Sequence, residues 1–213
     1  MTVMQPRARG QTTAPSVRAD QQHIDVPRPP IFGVIASRTI SNGGEPVTIE
    51  VGMPRLATDT IGVVCGLRIQ GIGVAAVHGS DSIAALYRAF VAIADELAEA
   101  NRGGADFDCA DPTSRDFPAE AIRAEPHPIG AAQTAQSLLA ARTLPGPDGP
   151  LSIIIGRPYL GPNRDSYRCN VHSSGHRTEI VSGADEIEVL LTAIRTIGTR
   201  LHLPQDWPIS RLS

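Results

Sequence analysis

Residues 63–97 read VVCGLRIQGIGVAAVHGSDSIAALYRAFVAIADEL, and the change of period inside them sets the fold. Val63, Cys65, Leu67 and Ile69 alternate with Val64, Gly66 and Arg68, as in a strand with one apolar face. Gly71-Ile72-Gly73 has the chemistry of a turn into a second strand near 74–78. Past Gly79 the period lengthens. Ile83, Leu86, Phe90, Ile93 and Leu97 recur at spacings of three and four, which predicts a helix over 82–100. Ser80 or Asp81 can cap its first amides, and the apolar stripe then packs on the sheet. Upstream, strands are expected near 31–40 and 46–51, joined through Ser41-Asn42-Gly43-Gly44, whose Asn and Gly tolerate positive φ. The unit is ββββα.

Adding 104 to each number repeats the organisation. Residues 36–97 and 140–201 align without a gap, with eighteen identities in sixty-two positions, where average composition would give roughly four to six. Arg38 and Thr39 become Arg142 and Thr143; Gly52 and Pro54 become Gly156 and Pro158; Cys65, Gly79 and Asp81 become Cys169, Gly183 and Asp185. The helical stripe repeats as Ile187, Leu190, Ile197 and Leu201, and Asp185 with Glu188 has the spacing of a capping box. The chain is an internal duplication.

The expected organisation is a disordered arm over 1–28, a first ββββα repeat over 29–100, an acidic linker over 101–134, a second repeat over 135–203 and a C-terminal tail over 204–213. The arm mixes Pro, Arg, Gln and Thr without an apolar period. Between the repeats, residues 98–134 hold seven acids against three arginines, and Phe107, Phe117 and Ile122 can dock parts of the segment. The fold class is α+β. A single helix over a four-stranded sheet buries a marginal core, so the two repeats are expected to pack as an intramolecular pseudo-dimer, as one sheet or as two sheets in contact. Ile154, the counterpart of Glu50, should point away from the helix and asks for cover.

Composition narrows the chemistry. All nineteen basic residues are arginine, so lysine-dependent Schiff bases, phosphate loops and Ser-Lys dyads are excluded. A formal charge of -3 gives no broad cationic surface, which disfavours nucleic acid as a partner. No apolar run approaches the roughly 20 residues that cross a bilayer, so no membrane is expected. With no signal-peptide pattern and three unpaired cysteines, a cytoplasmic location follows. The core must be aliphatic, because aromatic residues make up 4% of the chain.

No catalytic residue, cofactor or metal site emerges. Cys65 and Cys169 occupy core-facing strand positions, where packing is the plainer reading. His172 and His176 lie four apart in a strand-turn region, where that spacing does not align ligands. Arg38, Arg142, Arg55 and Arg157 are the candidate binding residues, able to contact carboxylates or phosphates if they share one surface. The plainer reading is that each covers a sheet edge or pairs with a nearby acid. His78, Ser80 and Asp81, at a helix N-terminus, are a candidate anion site, although the second repeat has Ser182 in place of His78.

The runs ASRTI (36–40), GGEPVTIEVGMPR (43–55) and HGSDSIAALYRAFVAIADEL (78–97) resemble a family of small, uncharacterised bacterial proteins. Its pattern is an Arg-Thr-Leu strand, a Gly-Arg-Pro turn, a Cys-bearing strand and a Gly-x-Asp helix start. The second repeat keeps Arg142-Thr143-Leu144, Gly156-Arg157-Pro158, Cys169 and Gly183-x-Asp185, while the first has Met53 in place of the turn arginine. The resemblance implies a compact cytoplasmic module without catalytic residues, similar in size to bacterial immunity proteins that bind a toxin. The leading expectation is therefore a non-enzymatic protein-binding module, immunity-like or regulatory, acting through surface arginines or the acidic linker. The alternative is a small-molecule or anion binder, or an enzyme acting on such a ligand, with its site between the repeats. A protein partner is expected, and homo-oligomerisation is left open.

Overall fold

The computed structural model describes residues 31, 33–58, 61–108, 117, 138–146, 149–204 and 207–209. The arm over 1–28, most of the linker and Ile122 lie outside the described residues. The first unit comprises β1 (Val34–Asn42), β2 (Glu45–Gly52), β3 (Arg55–Leu56), β4 (Val63–Ile69), β5 (Gly73–Gly79) and α1 (Ser82–Arg102). The second comprises β6 (Leu138–Leu144), β7 (Leu151–Gly156), β8 (Tyr159–Leu160), β9 (Tyr167–Ser173), β10 (Glu179–Gly183) and α2 (Glu186–Arg200). Each unit is an antiparallel sheet with one helix, and the two sheets are separate. The class is α+β.

Each sheet has five strands rather than the expected four, and proline explains the difference. Val51 pairs with Leu67 and Arg55 with Val64, so four steps along one strand match three along its partner. One extra residue is accommodated at Gly52-Met53-Pro54, where proline cannot donate to the ladder. The second unit has the same offset, between Ile155 opposite Val171 and Tyr159 opposite Arg168. β2 and β3 are thus one strand broken by a bulge.

The two buried cysteines belong to this break. Met53 N–H donates to the Gly33 carbonyl at 3.0 Å, so the Gly52 carbonyl, on the opposite side of that planar peptide, is turned toward β4. Cys65 Sγ donates to it at 3.3 Å, and Cys169 Sγ to the Gly156 carbonyl at 3.2 Å. Burial pushes both thiols up to about 12. They are packing groups that satisfy an interrupted ladder.

The Gly-x-Asp helix start has an equally direct cause. A Cβ on Gly79 would lie 2.2 Å from the Ala85 nitrogen, and one on Gly183 would lie 2.5 Å from the Val189 nitrogen. Only glycine lets the first turn of each helix sit against the strand before it. Asp81 Oδ1 then accepts from the Ile83 and Ala84 amides at 2.9 Å, and Asp185 Oδ1 from Ile187 and Glu188 at 2.9 and 2.8 Å. The cap is therefore Asp81, not Ser80. Glu188 reaches back to the Ala184 amide at 2.7 Å, one residue earlier than a capping box requires.

The predicted stripe of α1 is buried along its whole length, and a single core cluster draws on both units. α1 lies on β4 and β5 and also meets β6; α2 lies on β9 and β10 and also meets β1. The chain after α1 turns back on the first hairpin, where the Gly43 amide donates to the Asp106 carbonyl at 2.9 Å and Phe107 is buried. Two expectations are corrected. Residues 207–209 are not a detached tail, because Trp207 is buried, fits the slot left by Gly198 and donates Nε1–H to the Ile194 carbonyl at 3.2 Å. Ile154 is half-buried on the outer face between Ala141 and His172, and the units meet elsewhere. Among the described residues, no helix is long and apolar enough to cross a membrane.

Candidate functional site

Arg38 and Arg142, expected on an open surface, are 9% and 8% exposed. In register Arg38 lies opposite Ile49 and Arg142 opposite Ile153, both core residues, so each strand aims its arginine inward. Their partners come from the other unit. Arg38 Nε donates to Asp185 Oδ2 at 2.7 Å and Nη2 to Asp185 Oδ1 at 3.1 Å, while Arg142 Nε lies 3.0 Å from Asp81 Oδ2. Each N-cap aspartate therefore binds its own helix through Oδ1 and the other unit's arginine through Oδ2, with Asp185 Oδ1 also accepting from Arg38.

The neighbouring contacts follow the same exchange. Ser82, first residue of α1, accepts from the Ala141 amide at 2.8 Å and donates to its carbonyl at 3.0 Å. Glu186, first residue of α2, accepts from the Ser37 amide at 2.8 Å and hydroxyl at 3.1 Å. Adding 104 maps Ser37, Arg38, Asp81 and Ser82 onto Ala141, Arg142, Asp185 and Glu186. An aromatic ring covers each guanidinium, Phe117 over Arg38 and Trp207 over Arg142, both 5.0 Å from the ring centroid. Arg142 Nη1 also donates to the Pro208 carbonyl at 2.6 Å.

This geometry revises the predicted binding set. Arg55 in β3 and Arg157 before β8 are exposed, whereas Arg38 and Arg142 are buried. At His78, Ser80 and Asp81, the candidate anion site, the helix amides already have a partner. Asp81 occupies the α1 amides with its own carboxylate, Ser80 Oγ donates to it at 3.3 Å, and the exposed His78 gives its carbonyl to Arg88 Nη1 at 2.9 Å. An added anion would meet a carboxylate there.

Open concave surface lies instead at the β4–β5 end of the first unit. A cavity of about 530 Å³ on the outer face is floored by the Arg68–Glu50 ion pair and edged by Thr48 and Gln70. A smaller one of about 210 Å³ lies on the helix side, among Leu67, Ile69, Ile72, Ala75 and Glu96. Sequence reasoning missed both, and it missed Asp185 and Asp81 as the arginines' partners. A signal was present: among the eighteen identities, the only charged residues are Arg38/Arg142 and Asp81/Asp185. Comparison of the chain with protein-family models, curated proteins and solved structures finds no match.

Proposed function

We propose that the chain is an intramolecular pseudo-dimer acting as a non-enzymatic protein-binding module, immunity-like or regulatory, in the cytoplasm. The junction contacts described above exchange with one another, which is the property of an isologous interface between two copies. The tandem resemblance to small bacterial domains agrees with this reading.

The observation that carries the binding role is a contrast between the repeats. The arginine and aspartate of the junction, and the glycine and proline of the bulge, are kept, whereas equivalent surface positions diverge, as in Glu50 against Ile154 and Arg68 against His172. Among the described residues, the Cys65 and Cys169 thiols are buried, and Arg38 and Arg142 are held by aspartates. A small-molecule or anion site between the repeats has less support, because the guanidinium groups it would use already face carboxylates. A pull-down with the full chain from its native lysate tests the proposal. One stoichiometric protein partner is expected; absence of any such partner, together with thermal stabilisation by a metabolite panel, would favour the alternative.

A further inference from the structure

The two units differ in charge where the last strand passes the end of the helix. In the second unit Glu179, at the start of β10, is buried and pairs with Arg200 in the last turn of α2. The equivalent positions in the first unit are Ala75 and Glu96. The strand carboxylate has shrunk to a methyl group, and the helix residue has reversed its charge. The cavity of about 210 Å³ opens at this point. Among the described residues the Glu96 side chain makes no hydrogen bond or ion pair.

Apolar side chains and strand backbone with one carboxylate at the rim suit a lysine or arginine side chain, whose methylene stem lies on the aliphatic groups while its head reaches the acid. The volume is below the ~300 Å³ at which small-molecule pockets begin, so it suits a side chain better than a metabolite. Beside it runs β5, which among the described residues pairs only with β4. Its first five residues, Gly73-Val74-Ala75-Ala76-Val77, carry no charge and no proline, the usual protections of an edge strand. The larger cavity shares Gly73 and Val74 from the opposite face of the sheet. A strand laid along β5 would send successive side chains to the two faces alternately.

We propose that the outer edge of β5 docks an extended basic segment of another protein, with a lysine or arginine of that segment in the Ala75–Glu96 cavity. This rests on the protein-binding reading and adds the kind of partner and the place. The probes are short acetylated peptides of alternating threonine and valine with one variable central position, titrated against the full chain. Arginine and lysine peptides should bind at least ~10-fold more tightly than the glutamate peptide, a difference typical of a partly desolvated ion pair. Glu96→Arg should invert the preference. Ala75→Glu combined with Glu96→Arg restores the pair seen in the second unit, and should keep the melting temperature while abolishing binding. No binding of any peptide, equal binding of all, or undiminished binding by the double variant would overturn the site. The broader reading would survive such a result if native partner capture persisted in the double variant, and would fall if the unaltered chain captured no partner.

Discussion

Asp185 serves two elements at once, and substitutions can separate its roles. Asp185→Ser keeps a capping oxygen for α2 but removes the charge facing Arg38. The Arg38 guanidinium, 9% exposed, then loses the Asp185 carboxylate while keeping its other contacts. Breaking a fully buried pair costs about 3–5 kcal/mol, and since the Asp185 side chain is 29% exposed, about 2–3 kcal/mol is the reasoned value. Asp185→Ala loses the cap as well, worth about 1 kcal/mol more. For a chain of this length, 3 kcal/mol corresponds to a fall of about 6–12 °C in Tm. Arg38→Met should cost less than Asp185→Ser, because an apolar chain replaces the charge. The double variant Arg38→Met/Asp185→Ser should recover about 1–2 kcal/mol of the summed losses. Urea unfolding of the four proteins in this cycle gives the coupling energy. A coupling below about 0.5 kcal/mol, the ordinary scatter for independent sites, would refute the claim that β1 and α2 are held through this pair.

Three further outcomes follow from the packing. Gly79→Ala should cost about 3 kcal/mol or more in urea unfolding, since its methyl would press on backbone of α1 that has nowhere to move; Gly71→Ala, where a Cβ meets nothing within 4 Å, should cost only the strain of its positive φ. Tyr87→Phe should be neutral or stabilising by up to about 1 kcal/mol, because the Tyr87 hydroxyl is buried without a partner among the described residues; a loss above 1 kcal/mol would place a polar partner there. The thiols of Cys65 and Cys169 are ordinarily acidic near 9.0 and are pushed up to about 12 in the fold. Their contribution to stability is therefore complete below pH 9 and is lost as pH rises from 9 toward 12. In a Cys109→Ser background, neither thiol should react with an aromatic disulfide at neutral pH until the protein is unfolded.

Local pattern made much of this molecule legible. The stripe from Ile83 to Leu97 gave the helix, Gly79-x-Asp81 its start, and the offset of 104 its second copy. These features depend on neighbours in sequence, where periodicity and turn chemistry operate. The fifth strand is hidden in the sequence because Gly52-x-Pro54 resembles a turn that ends the strand expected near 46–51, whereas it interrupts one strand with a bulge. Arg38 was read as a surface residue because its acid lies 147 positions away and already had an explanation as a cap. Trp207 was assigned to a tail, since the slot at Gly198 that receives it exists only once α2 is folded. The Ala75–Glu96 cavity needed the second unit as a reference, because its meaning lies in what Glu179 and Arg200 do there.

The central claim is that two undersized units share one core and stand or fall together. Trp207 is the only tryptophan and reports on the second unit, while far-ultraviolet circular dichroism reports both helices. Thermal and urea unfolding followed by the two signals should coincide in one transition. A Trp207 transition separated from the loss of helix would contradict a shared core and leave two independent domains.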